Sequence, residues 1–167
     1  MPYPTIVPVL SSVSQEQQFW GPYSTGEPGA RYIFGRRFTD GNITVVKSTD
    51  NGNTWAEQDL ANAKAINGSR INTFAVCAPN DFPTTQELYV IYFSAANALN
   101  LAVYSTATDT WGAGTAFATA VYPAGAPSFS AEDNSMLAVH RPSDNTVIVF
   151  ASMTRQDIGA GVLRYRV

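Results

Sequence analysis

Metal-binding side chains are nearly missing from this 167-residue chain, which has one cysteine, Cys77, and one histidine, His140. A single thiol excludes an internal disulfide framework, and one imidazole beside it is too little for a zinc site. Charge is scarce as well: 14% of residues are Asp, Glu, Lys or Arg, ten cations against thirteen anions, for a formal net charge of −3. Nucleic acid, whose backbone is gripped by clustered Lys and Arg, is therefore not an expected partner. Long apolar runs are absent too. The longest, such as Leu88 to Phe93, fall far short of the roughly 20 residues with which a helix crosses a bilayer, so no membrane insertion is expected. Met1 to Ser12 carries three prolines and no basic stretch, which is not the pattern of a secretory signal peptide. Also lacking are a glycine-rich phosphate loop, a Gly-x-Ser-x-Gly elbow beside His140 and Ser143, and the alternating ligands of a calcium loop around Asp50-Asn51-Gly52-Asn53. No cofactor and no metal is expected.

What the chain does have is apolar and aromatic residues, 45% and 12% of the total, in short β-forming runs. Residues 1–30 are rich in proline and glycine and read as an N-terminal arm, with regular structure expected only briefly around Phe19 to Tyr23. From Arg31 onward, runs of Val, Ile, Tyr, Phe and Thr alternate with Gly, Asn, Asp and Ser clusters at hairpin spacing. Strands are expected at Arg31 to Arg37, Ile43 to Ser48, Trp55 to Asp59, Ile71 to Ala78, Glu87 to Ser94, Leu99 to Ser105, Trp111 to Phe117, Ser135 to His140, Thr146 to Ser152 and Val162 to Val167. Gly159-Ala160-Gly161 reads as a hairpin turn, and Leu60 to Ile66 is the one segment with helix-friendly composition. Cys77, on an apolar run, reads as a small buried hydrophobe.

Short, evenly spaced strands call for a search for repeats, and one is present. Residues 31–55 and 87–111 superpose without a gap, so that Ile43 meets Leu99, Val45 meets Leu101 and Trp55 meets Trp111, an offset of 56 residues. A third copy begins at Thr146 to Ser152 and continues through Val162 to Val167. The units therefore fall near 31–59, 71–117 and 135–167. Each is read as antiparallel strands with Ile71 to Ala78 and Ser135 to His140 innermost and the Trp-led strands outermost. At 56 residues per unit the chain is just under three units long, which suggests part of a larger array.

Between the third and fourth strands of the first unit lies Ser48-Thr49-Asp50-Asn51-Gly52-Asn53-Thr54-Trp55. An Asp in such a turn accepts bonds from backbone N–H groups a few residues on, and Gly supplies a positive φ. Ser48 and Thr54 are suited to close the loop, and Trp55 to anchor the outgoing strand in apolar surface. The segment matches Ser/Thr-x-Asp-x-Gly-x-x-Trp, and the chain resembles the Asp-box, or bacterial neuraminidase repeat, family on it. Ser105-Thr106-Ala107-Thr108-Asp109-Thr110-Trp111 is a degenerate copy, one residue shorter and without the Gly; it keeps Ser105 and Trp111 and carries Asp109.

The resemblance implies an all-β fold, a propeller-type array of four-stranded antiparallel blades, with about three blades in residues 31–167 and the ring completed by other blades or other copies. It also implies an extracellular or virion-surface location. Sialidases of this family carry an arginine triad, a Tyr/Glu nucleophile pair and an Asp acid/base on their inner strands. The corresponding residues are poorly represented here. Arg31-Tyr32-Ile33 lacks the proline of the family's strand motif; Asp40, Asp81, Glu132 and Asp133 neighbour turn-forming residues, and Glu87 opens an expected strand. No catalytic residue is assigned. The expected function is a non-catalytic module that binds or assembles, with carbohydrate (glycan) recognition as its expected small-molecule role; a glycan or a partner protein, and further copies of the chain or the remaining propeller blades, are the expected partners. The alternatives are a structural or adhesion part of a larger assembly such as a phage virion or tail, and a fragment of a sialidase-like glycosidase. Candidate ligand contacts are Arg36, Arg141, Trp20, Tyr23 and Tyr122, because sugar rings stack on aromatic faces while polar groups take their hydroxyls. Asn72, Asn97 and Asn100 are further polar candidates, and Arg37 and Arg70 further arginines near strand ends.

Overall fold

Alternation of apolar side chains along short runs yields twelve strands and no α-helix among the described residues of the computed structural model, which are 19–37, 40–66, 74–79, 81–82, 84–94, 98–118, 135–141, 143–144, 146–155 and 159–166. The first sheet has the order β1 (Trp20–Tyr23), β2 (Arg31–Arg36), β3 (Ile43–Ser48), β4 (Ala56–Gln58). The second has the order β5 (Phe74–Cys77), β6 (Glu87–Phe93), β7 (Leu99–Ser105), β8 (Thr110–Trp111), with β9 (Thr115–Ala118) also pairing with β7. The third has the order β10 (Ser135–Arg141), β11 (Thr146–Arg155), β12 (Gly159–Arg166). Every pairing is antiparallel between strands close in sequence, as hairpin-joined strands must be. The fold is all-β.

The second sheet explains the low charge count, because it is buried on both faces. Phe74 and Val76 of β5, Leu88, Val90 and Tyr92 of β6, and Ala102 and Tyr104 of β7 pack with Tyr32, Phe34, Ile43 and Val45 of the first sheet. The alternate residues Ala75, Cys77, Ile91, Phe93 and Leu99 pack with Met136, Ala138, Val147 and Val149 of the third. Period-two alternation thus points two apolar sets in opposite directions, and neither leaves room for charge. The third sheet is different. Leu137 and Val139 of β10 and Phe150 of β11 lie on its other face and are 47%, 44% and 39% exposed; Leu137 pairs with Phe150 and Val139 with Ile148.

Two local expectations are corrected, and the helix-friendly Leu60 to Ile66 forms only a single 3-10 turn, Leu60–Asn62, after which Lys64 and Ile43 exchange backbone hydrogen bonds of 2.9 and 3.3 Å. Ile43 takes the Lys64 N–H that a continuing helix would need. Gly159-Ala160-Gly161 is not the turn; these residues pair with Arg155, Thr154 and Met153 inside β12. The expected strand Trp111 to Phe117 is split into β8 and β9, with Gly112 still donating to the Val103 carbonyl at 2.7 Å. Trp20–Tyr23, inside the stretch read as an arm, is the first strand of the first sheet.

Candidate functional site

The β3–β4 connection is closed by its own side chains. Ser48, 1% exposed, donates from Oγ to Asp50 Oδ1 (2.8 Å) and accepts from the Gly52 amide (2.8 Å). Asp50 accepts from the Thr54 amide (2.8 Å) on Oδ1 and from the Thr54 hydroxyl (2.7 Å) on Oδ2. Trp55 Nε1 donates back to the Gly52 carbonyl at 3.0 Å. Gly52 has φ 92, a conformation that disfavours any Cβ. The donors around Asp50, first the Thr54 amide and then the Thr54 and Ser48 hydroxyls, hold its carboxyl down at about 2. The turn is also tied to the loop before β2. Asn51 N–H donates to the Gly29 carbonyl (3.0 Å), and a Cβ on Gly29 would stand 2.5 Å from the Thr49 carbonyl oxygen.

The shortened copy at Ser105 to Trp111 is built for another purpose. Asp109, at φ 55, turns its carboxylate away from its own loop: Oδ1 accepts from Tyr32 Oη (2.8 Å) and Oδ2 from Lys47 Nζ (2.8 Å), both in the first sheet. Tyr32 Oη also lies 3.2 Å from the Thr106 carbonyl. Burial pushes the Tyr32 phenol up to about 12. For Lys47, burial disfavours the charge, but the contacts with Asp109 and Tyr32 outweigh it and raise the ammonium above its ordinary value. Asp59, just after β4, completes the clasp from the opposite side, accepting the Trp111 amide at 2.8 Å. That bond, with a second from Asn62, lowers the Asp59 carboxyl. Phe34, Tyr104 and Trp111 meet edge to face between the sheets, with centroids 5.2 to 5.9 Å apart. Two buried polar atoms there, Tyr104 Oη and Trp111 Nε1, have no hydrogen-bond partner.

Trp20 and Tyr23 serve the same seam. Trp20 Nε1 donates to the Phe74 carbonyl (2.9 Å) and Tyr23 Oη to the Val76 carbonyl (3.0 Å). These are alternate residues of β5, whose strand partner among the described residues is β6 alone, so the two aromatics satisfy the carbonyls on its other edge. Burial pushes the Tyr23 phenol up, with Cys77 adding to the rise. The Cys77 thiol is itself pushed up to about 12 by burial, which suits packing and not nucleophilic attack.

The two arginine candidates are not brought together. Trp20 and Tyr23 align β1 parallel with β5, and Tyr89, the partner of Cys77, lies 5.9 Å from His140 between ring centroids. The Arg141 end of β10 therefore neighbours the Cys77 end of β5. Arg36 ends β2 beyond the Phe34–Trp20 pair, at the opposite, Phe74 end. Arg36 donates to the Gly41 carbonyl (2.9 Å), and burial lowers its pKa. Arg141 is held by Asp144, which raises its pKa, much as Arg37 is held by Asp40. Asp40 also accepts from the Asn42 amide (3.0 Å), and the Asp81 carbonyl closes a turn with Thr84 (2.6 Å). Glu87 is the exposed first residue of β6, and Asn100 is buried, donating to the Ala98 carbonyl (2.8 Å). Tyr122, Arg70, Asn72, Asn97, Glu132 and Asp133 lie outside the described residues. Among the described residues no group of three or more His, Cys, Asp or Glu is placed to hold a metal ion.

Sequence reasoning missed Tyr32, Lys47 and Asp59. Lys47 left one signal, as the single charge in an otherwise uncharged strand. Comparison with models of known protein families and with curated proteins found no match to this chain.

Proposed function

We propose that the chain is a non-catalytic, propeller-type assembly module of the Asp-box kind, in which radially stacked sheets are continued by sheets from further copies. The observation that carries this reading is the apolar face of the third sheet. Leu137, Val139 and Phe150 are exposed there, whereas the equivalent alternation in the second sheet is covered on both sides. A sheet face of this composition is stable when another sheet lies on it. The ring-like reading draws support from the closure of the Ser48–Trp55 turn and from the parallel alignment of the edge strands β1 and β5. A place in a virion, tail or adhesive structure fits such a module.

Glycan recognition, the ligand class that the resemblance suggests, has less behind it. Trp20 and Tyr23 direct their polar tips to β5, and Arg36 and Arg141 occupy opposite ends of the stack. A sialidase centre would need those arginines to converge. Light scattering on the purified chain tests the reading. The expected mass is a multiple of 18.0 kDa, and Leu137→Glu with Phe150→Glu is expected to return it to the monomer with an unchanged circular dichroism spectrum. A monodisperse monomer at all concentrations would overturn assembly through copies, and a monomer that binds a sialylated or neutral oligosaccharide on an array would favour the glycan reading instead.

A further inference from the structure

We infer that Asn51-Gly52 is a site of spontaneous deamidation that the folded turn holds closed, with Ser48 as the residue that blocks it. The inference does not depend on the assembly reading. Asn51 is exposed and is followed by a residue without a side chain, so nothing bulky shields its carboxamide carbon from the next backbone nitrogen. In the reaction the Gly52 nitrogen gives up its proton to solvent base and attacks Asn51 Cγ. A new N–C bond closes a five-membered succinimide, the Cγ–Nδ2 bond breaks, and ammonia leaves. Water then opens the ring at either carbonyl and leaves an aspartate or an isoaspartate, so no oxidant or further reactant is needed.

The attacking nitrogen is occupied in the folded turn. Its N–H donates to Ser48 Oγ at 2.8 Å, and Ser48 is oriented for this by its own donation to Asp50 Oδ1 at 2.8 Å. The target is also held, since the Asn51 amide donates to the Gly29 carbonyl (3.0 Å) and Arg31 Nη2 donates to Asn51 Oδ1 (3.4 Å). Cyclisation requires Gly52 to leave Ser48 and rotate toward Asn51, which is a local opening of the turn. The product reinforces that opening. An isoaspartate adds a methylene to the backbone between Asp50 and Thr54, the two residues whose bonds of 2.8 and 2.7 Å close the loop. It also places a second carboxylate beside Asp50.

The test is peptide mapping by mass spectrometry, with separation of aspartate from isoaspartate, after incubation of the full chain at neutral pH. Folded wild type is expected to keep Asn51 intact far longer than the same chain in urea, where Asn51 and Asn67, the chain's other Asn-Gly residue, should react at similar rates. Ser48→Ala is expected to speed the folded reaction about threefold to tenfold, the bias one net hydrogen bond exerts on a local equilibrium. Equal rates for folded and unfolded wild type would overturn the inference, as would a folded Ser48→Ala that reacts no faster than wild type. If Ser48→Ala does not fold, native-state hydrogen exchange on wild type decides: a protected Gly52 amide supports the block, and a freely exchanging one overturns it.

Discussion

The turns that end β3 and β7 begin from related sequences and do opposite things. In Ser48–Trp55 the carboxylate of Asp50 is saturated by Thr54 and Ser48, within its own loop. In Ser105–Trp111, one residue shorter and without the glycine, Asp109 sends both oxygens across to Tyr32 and Lys47 of the neighbouring sheet. A complete motif spends its carboxylate within its own turn, whereas a degenerate one has a free carboxylate to lend to the seam. Losing local closure is thus coupled to gaining a long-range contact.

That contrast can be broken in graded ways. The largest effect should come from the seam's apolar centre: Phe34→Ala, at a fully buried site against Tyr23, Tyr104 and Trp111, is expected to cost about 3 to 5 kcal/mol in urea unfolding. Next is Asp109→Ala, which leaves the Tyr32 hydroxyl and the Lys47 ammonium without their carboxylate; a loss of about 1 to 3 kcal/mol is expected. Adding Lys47→Met should recover part of it, because the orphaned charge is then gone. If Asp109→Ala is neutral, the clasp contributes nothing and the two turns differ only in shape. Asp50→Asn tests the self-contained turn through pH. The folded carboxyl is depressed to about 2 from an ordinary 3.8, so its contribution is full above about 3.8 and is lost as pH falls through about 2. Wild type should therefore lose stability over that acid window, and Asp50→Asn should show a shallower acid limb together with a lower midpoint at neutral pH. Smallest is Tyr104→Phe. Its hydroxyl is buried without a partner, so removal should be neutral or stabilising by up to about 1 kcal/mol, and a clear loss would mean that a bound water bridges it.

Much of the fold was legible from residue order. The runs at Arg31, Ile43, Glu87 and Leu99 became strands because period-two alternation with β-branched and aromatic residues states both conformation and face. The Ser48–Trp55 turn was legible for the same reason: every bond that closes it lies within four residues. Where local reading failed, a distant partner had intervened. Lys64 pairs with Ile43 and ends the helical tendency after Leu60–Asn62. Gly159, Ala160 and Gly161 joined a strand because β11 runs on to Arg155 in register with β12. Trp20 and Tyr23 were read as ligand contacts because an aromatic in a Pro/Gly-rich stretch looks exposed. The bonds that claim them lie 54 and 53 residues away.

Sequence by itself determined the strand content, the repeat and the closed turn, because each depends on composition or on neighbours a few residues apart. Tertiary structure alone decided which aromatics and carboxylates join one sheet to the next, that Arg36 and Arg141 sit at opposite ends, and which apolar residues stay exposed among the described ones. Those outcomes depend on how three sheets stack, and the energy of stacking comes from contacts between residues more than 50 positions apart, which no local pattern encodes.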